Sequence, residues 1–399
     1  MRQHFFASDG NDTIANVRLA VIGGGINGAG IAWELARRDY DLTLFERGRC
    51  GAQTSSATTK MIHGGIRYLE RFHFGLVRES LRDRAWLLEH LPSLVKPIEI
   101  LLPVYDDSPR SRLTLRAGLT LYDLLAGRNN IARHRSLSSD ELIARLPLTP
   151  AGLRGGFVYF DAQVDDYALA RTVVASAINE GAIVREQTPV TALRRDGKAW
   201  TVTTPTGEER FDFVVNAAGP WMNALLAENR IRSRYRLSLV RGSHLVLNKR
   251  VAEAGMLLQS IGDRRVFFVL PWKGTTLVGT TEVMHHGSLD HVSATDAEVQ
   301  YLIERFNRYV REPIGRDDIA STFAGVRPLV GRSTNPSALA RDYRLERRGN
   351  LLNVFGGKMT TFRSLAEKAA MRVDNYFGVA RTAREPRFDP QMTQMNPDG

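Results

Sequence analysis

The sequence predicts an α/β protein in which a nucleotide-binding layer is written in separate pieces and an antiparallel sheet domain is inserted between them. Three observations lead there. "AVIGGGINGAGIAWELARRDYDLTLFER", Ala20 to Arg47, reads as strand, glycine-rich turn, helix, strand and acid. "VVNAAGPWMNALL" and "NLLNVFGGKMTTFRSLAEKAA" repeat the order strand, glycine, helix much later in the chain. Between them "YRLSLVRGSHLVLN" and "RRVFFVLPWKGTTLVGTTEV" alternate in the period-2 manner of antiparallel strands, the second folding at Lys273-Gly274.

Val17 to Ile22 and Leu42 to Phe45 are short apolar runs suited to buried strands, and Ile26 to Arg38 is the helix between them. Gly23, Gly25 and Gly28 form G-x-G-x-x-G at the strand-to-helix junction. The first glycine suits a tight turn, the second a close approach of backbone to a pyrophosphate, the third close packing of helix on strand. Amide N–H groups at the helix start, aided by its dipole, face the phosphates. Glu46 closes the second strand 18 residues past Gly28, where a carboxylate can accept from an adenosine ribose.

That junction alone suits NAD or FAD. The loop "RGRCGAQTSSATTKMIHGGIRYLE" offers small hydroxyl residues to a longer cofactor, and Pro220 stands at the permitted first turn after the second junction. Three such junctions suit a cofactor lying extended through the domain. Tyr68 to Leu91 and the stretch from Ser111 carry apolar residues at helical spacing, which fits packing on a core; a basic amphipathic face on a membrane stays open. Asp166 to Glu186 reads as helix, glycine stop, strand; "WTVTTPTGEERFDFVVNAAG" as a hairpin and a buried strand; Ala294 to Val310 as a helix. The polar ends, 1–16 and 379–399, are expected to be loose.

The bulk numbers exclude more than they assign. With 399 residues, 43% hydrophobic and 24% charged, the chain is of ordinary globular composition and long enough for two domains. Of 54 basic residues against 43 acidic, seven are lysines and the arginines are scattered, which speaks against a nucleic-acid footprint. A single cysteine, Cys50, excludes an intrachain disulfide framework and suggests a reducing compartment. No secretory signal and no membrane-spanning stretch is read, so membrane contact would be peripheral.

In order along the chain, "VIGGGINGAGIA", "TSSATTKMIHGGIRYLE", "DAQVDDYALA", "NAAGPW", "VRGSH", "GVRPLVG", "RDYRL" and "FGGKMTTFRSLAE" resemble the FAD-dependent glycerol-3-phosphate dehydrogenases of the amino-acid-oxidase-like flavoprotein superfamily. The resemblance runs over roughly residues 17–376 and implies a Rossmann-like FAD-binding domain, discontinuous in sequence, with an inserted antiparallel-sheet substrate domain. Residues 17–90, 151–228 and 320–378 would form the first, and 91–150 and 229–319 the second. It implies oxidation of sn-glycerol 3-phosphate, or a similar phosphorylated polyol, to dihydroxyacetone phosphate by hydride transfer to flavin N5. Electrons would pass to quinone or another acceptor, in a cytoplasmic protein peripheral to the inner membrane face. Members of that family continue into a C-terminal cap domain that this sequence is expected to lack.

The resemblance assigns His244 as base, Arg67, Tyr68 and Lys358 to the reacting centre, and Arg327 and Arg341 to the substrate phosphate. Their chemistry suits those roles: imidazole titrates near neutrality and a guanidinium fork fits a phosphate. Cofactor contacts would come from Gly23, Gly25, Asn27, Gly28, Glu46, Arg47, Ser55, Ser56, Lys60, His63, Gly64, Gly65, Val190, Ala218, Gly219, Trp221, Gly357, Lys358, Met359 and Thr360. The helix near Thr360 would direct its positive end at the flavin pyrimidine ring. "GTTE", ending in Glu282, departs from the family's "GTTD". No metal and no nucleic acid are expected, and a homo-oligomer is left open. An amino-acid or 2-hydroxy-acid oxidoreductase and a non-catalytic flavin-binding or membrane-associated protein are the alternatives.

Overall fold

Strand Arg18–Ile22, "RLAVI", shows how the first layer is organised. Leu19 and Val21 point into one hydrophobic cluster and Ala20 and Ile22 into another, all four buried. A strand covered on both faces needs apolar residues at every position, which is why this one does not alternate. The computed structural model describes residues 17–388.

Around this strand lies a six-stranded sheet in the order Arg344–Arg348, Leu351–Phe355, Phe213–Asn216, Arg18–Ile22, Asp41–Phe45, Ile183–Arg185. All neighbours are parallel except the edge pair Arg344–Arg348 and Leu351–Phe355. Helices Ile26–Ala36, Asp166–Asn179 and Phe362–Phe377 cover one face, where Trp33 and Phe362 are fully enclosed. A three-stranded antiparallel sheet, Ala192–Asp196, Ala199–Thr204 and Gly207–Phe211, covers the other through Leu193, Trp200 and Phe211. This is the doubly covered α/β layer that the glycine junctions imply.

The second layer is a ten-stranded sheet. Its long strands are Val95–Tyr105, Leu153–Val164, Leu237–Leu247 and Ile319–Val330. The strands at Val266–Trp272 and Thr275–Gly279 form the expected hairpin, with Lys273 at φ 44° and Gly274 at φ 78°, the left-handed pair that a two-residue turn of matching twist requires. One pair is parallel, Gly255–Gln259 with Val95–Tyr105.

Two features differ from the sequence reading. Leu153–Val164 and Ile319–Val330, read within 151–228 and 320–378 of the cofactor domain, pair in the second sheet, with Val95–Tyr105 and Leu237–Leu247 respectively. Both are long strands whose partners lie far away in sequence, and local periodicity carries no information about which sheet claims them. The second is the tail, read as loose over 379–399. Residues 379–388 are clasped to the end of the first helix: Arg381 donates to the Arg38 and Asp39 carbonyls, Arg384 to the Ala36 carbonyl, and Phe388 packs 5.2 Å from Trp33. Arginines satisfying the orphan carbonyls of a helix end explain the order. The remaining expectations, for 1–16 and 389–399, fall outside the described residues. Among the described residues no helix is long and apolar enough to cross a membrane.

Candidate active site

The carboxyl ends of the parallel strands open onto a cavity of about 590 Å³ that extends between the two layers. In such sheets this is where ligands bind. Gly23, at φ 100°, lies against the second junction so closely that a Cβ would stand 2.5 Å from the Ala217 carbonyl oxygen. At Gly28 a Cβ would fall 1.8 Å from the Gly23 oxygen, so this glycine sets helix against strand and does not line the cavity. Gly25 precedes the helix, the Ser55 hydroxyl accepts from the Ile26 N–H at 2.9 Å, and no acid stands in the helix's first turn. Glu46 is buried and accepts from the Gly24 N–H at 2.7 Å and the Gly48 N–H at 2.9 Å. Val190, Ala218, Gly219 and Trp221 complete this end, with the Arg47 guanidinium 4.9 Å from the Trp221 ring.

The third junction closes the middle of the cavity. Gly357, at φ 106°, leaves no room for a Cβ, which would lie 2.3 Å from Asn27 Nδ2. Asn27 donates to the Gly356 carbonyl at 3.2 Å, and its buried Oδ1 has no partner among the described residues. Met359, Thr360, His63 and Gly65 follow along the wall, the Thr360 hydroxyl accepting from the His63 N–H at 3.2 Å.

At the far end the wall turns cationic. Arg67, Arg327, Arg341 and Lys358 all line it, with Tyr68 and Glu282 among them. Arg327 pairs across the sheet with Val240, beside Gly242, where a Cβ would come within 2.9 Å of the Arg327 Nη2. That glycine makes room for the guanidinium. Glu282 is ion-paired with Arg341 and lies 3.7 Å from Arg67 Nη1. Burial and the neighbouring Arg341 bring the Arg327 pKa down to about 10. Burial also lowers that of Lys358, whose Nζ sits 3.8 Å from the Tyr68 ring centroid without a hydrogen-bond partner among the described residues. Tyr68 is shifted the other way from an ordinary buried phenol. Burial opposes its ionisation, yet Lys358, Arg341 and Arg67 together hold its pKa below the usual value. Four cations sharing the Glu282 carboxylate in a desolvated recess leave an excess of positive charge that suits an anion.

The cavity wall thus fits an extended dinucleotide: glycines where a Cβ would intrude, a helix N-terminus at one end, and orphaned Asn27 and Lys358 polar atoms along its course. The FAD dependent oxidoreductase family matches residues 18–364. The chain belongs to that family. Among curated proteins it is similar to D-erythritol 1-phosphate dehydrogenase of Brucella abortus (strain 2308), 39% identical over 90% of this chain and 74% of the relative. It is similar also to the glycerol-3-phosphate dehydrogenase of Pseudomonas aeruginosa, 38% identical over 92% of this chain and 74% of the relative. Two solved structures share the fold: glycerol-3-phosphate dehydrogenase of Bacillus halodurans complexed with FAD, TM-score 0.74, 24% identity, 92% of this chain and 66% of that one; and L-alpha-glycerophosphate oxidase of Mycoplasma pneumoniae with FAD bound, TM-score 0.73, 16% identity, 92% and 96%.

Within this oxidoreductase, five of the residues assigned from sequence do not line the cavity: Gly28, Ser56, Lys60, Gly64 and His244. The Ser56 hydroxyl is turned to the Ala52 and Gln53 carbonyls of its own loop. Lys60 is buried, donating to Asp166 at 2.5 Å and to the Ser56 carbonyl. Gly64 donates to Tyr122 Oη at 2.8 Å on the core side. His244 is fully enclosed, stacked 4.7 Å from Phe323 and opposite Gly279, whose missing side chain admits the ring. Its Nε2 lies 3.0 Å from Thr59 Oγ1, and Thr59 does line the cavity. Burial, with Arg327 and Lys60 nearby, holds its pKa well below 6.5.

Other lining residues escaped the sequence reading, among them Arg71, Tyr159, Asp161 and Thr280. Asp161 accepts from the fully buried Arg84 at 2.7 Å and from Tyr122 at 2.8 Å. The signal available for it was an acid directly after the apolar run "FVYF" in the strand "GGFVYFDAQV".

Proposed function

We propose that this oxidoreductase converts a phosphorylated polyol, glycerol 3-phosphate or a close homologue, to the corresponding ketone phosphate. The observation that carries the reading is the cluster Arg67, Arg327, Arg341 and Lys358 at one end of a cavity whose other end is a dinucleotide cradle. Bound FAD supplies the two-electron oxidant. The arginines hold the phosphate by paired, charge-assisted hydrogen bonds and so orient the neighbouring carbinol. A doubly charged phosphate also offsets the excess positive charge left after Glu282 has paired with Arg341.

The carbinol hydroxyl must lose its proton. His63 lines the cavity directly, and burial pushes its pKa down to about 4, so it is a neutral acceptor. His244, also neutral, reaches the cavity only through the Thr59 hydroxyl and acts as a positioning residue for it. The relatives named glycerol-3-phosphate and D-erythritol 1-phosphate dehydrogenase support the substrate class. Mixing the purified flavoprotein with glycerol 3-phosphate without oxygen should bleach the flavin; a spectrum that stays oxidised rejects this substrate.

For the acceptor we propose membrane quinone reached by peripheral contact. Phe72, Phe74, Leu113 and Leu124 are exposed on abutting segments, and Arg71, next to Phe72, lines the cavity. Apolar side chains beside arginine fit an anionic lipid surface. Sedimentation with anionic vesicles, lost in a Phe72→Ser, Leu113→Ser variant, is the expected result.

A further inference from the structure

Glu282 is the carboxylate ion-paired with the arginines at the cationic end of the cavity. Arg265 donates to its main-chain carbonyl at 3.0 Å, and the hydroxyl of the preceding Thr281 accepts from the Ser243 N–H at 2.9 Å and donates to Glu298 at 2.7 Å. The connection between Thr275–Gly279 and Val283–Met284 that carries the carboxylate is therefore held in place. Oε1 faces the Arg341 and Arg67 guanidiniums. Oε2 is buried and has no hydrogen-bond partner among the described residues. Although burial opposes its charge, Arg341, Arg67 and Arg327 keep the carboxyl below the usual carboxylate range, so it stays ionised. An ionised carboxylate accepts and never donates, and an unmatched buried oxygen is costly to leave unpaired.

We propose that Glu282 is a specificity-determining residue: Oε2 accepts a hydrogen bond from a substrate hydroxyl other than the one oxidised, and its charge rejects substrates bearing a carboxylate at that place. This rests on the polyol-phosphate reading above and adds to it. Positive charge alone would favour a phosphorylated hydroxy acid over a polyol phosphate, because the acid brings one more negative charge. Glu282 reverses that preference, letting one arginine cluster recognise the phosphate while the rest of the substrate must carry hydrogen-bond donors. A site that matches a hydroxyl discriminates strongly against an analogue without one.

The test uses the FAD-loaded enzyme and four probes: glycerol 3-phosphate, 2-hydroxypropyl phosphate, which lacks the terminal hydroxyl, 3-phosphoglycerate, which has a carboxylate there, and inorganic phosphate. Binding is read by calorimetry and oxidation by anaerobic flavin bleaching. Wild type should bind glycerol 3-phosphate at least tenfold more tightly than 2-hydroxypropyl phosphate or 3-phosphoglycerate. In Glu282→Gln the penalty on 3-phosphoglycerate should shrink at least tenfold relative to inorganic phosphate, and in Glu282→Ala the preference for the hydroxylated probe should fall towards one. If both variants weaken all four probes by one common factor, Glu282 only orders the arginines and the proposal falls. Glu282→Asp, which keeps the charge and withdraws it by one methylene, covers the case in which the other two lose their flavin: a probe ratio unchanged from wild type overturns the proposal. Phosphate binding without oxidation of glycerol 3-phosphate would sink the reaction while leaving the ratios to judge Glu282.

Discussion

The two ends of the cavity are built by opposite means. The dinucleotide end relies on main chain: Gly23, Gly25 and Gly357 allow close approach of backbone along the wall, and the helix begins there with its Ile26 N–H bonded to Ser55. The anion end relies on side chains, with Arg67, Glu282 and the group Arg327, Arg341 and Lys358 drawn from three separate stretches of the chain, Glu282 pairing with Arg67 and Arg341. A backbone site is a matter of sterics and tolerates no added atoms. A side-chain site is a matter of electrostatics, so its members can be exchanged one at a time at graded cost.

The largest effect should come from breaking the main-chain end. Gly23→Ala forces a Cβ to within 2.5 Å of the Ala217 oxygen at a φ of 100° that alanine rarely adopts. Strain and overpacking together cost about 3 kcal/mol, and flavin content measured by absorbance should fall to near zero. Next comes Arg327→Met, which should leave the flavin in place while kcat/KM for glycerol 3-phosphate falls about 100- to 1000-fold in steady-state assays. Arg327→Lys keeps the charge and loses the fork, so it should recover only part of that loss. If Arg327→Met empties the flavin site as well, the two ends are not separable in this way.

Lys60 sharpens the contrast from outside the cavity. Lys60→Met leaves Asp166 buried without its cation and should destabilise the fold by about 3 kcal/mol by denaturant titration, with flavin affinity in the folded fraction little changed. The smallest effect concerns His244. Its imidazole stays neutral in the fold, whereas the unfolded chain takes up a proton near pH 6.5. Its contribution to stability is therefore complete above that pH and diminishes as the pH falls below it. A shallower decline in Tm between pH 6.5 and 4.5 is expected for His244→Gln than for wild type.

The same contrast explains what was legible in the sequence. Glycines at Gly23, Gly25 and Gly28 and the acid at Glu46 have fixed spacing because one turn and one strand fix their separation, so the first layer could be read directly. The anion end has no spacing of its own: Arg327 and Glu282 come together because strands Ile319–Val330 and Val283–Met284 both pair with Leu237–Leu247, a tertiary fact. A resemblance reached the arginines but did not tell a lining residue from one behind the wall, as Lys60, Gly64 and His244 illustrate. Its motif "DAQVDDYALA" begins on Asp161 yet gave that residue no role, since its partner Arg84 lies in another segment.

The parallel sheet also has a consequence for how the chain is made. Val21 hydrogen-bonds beside Val215, and Val215 in turn beside Leu352. At roughly 5–20 residues per second of synthesis, the opening strand waits on the order of 10 s or more for its neighbour to leave the ribosome, and longer for the sheet to be finished. During that interval a bare apolar edge stands exposed, so yield in the cell should depend more on chaperone supply and translation speed than on the stability of the finished enzyme.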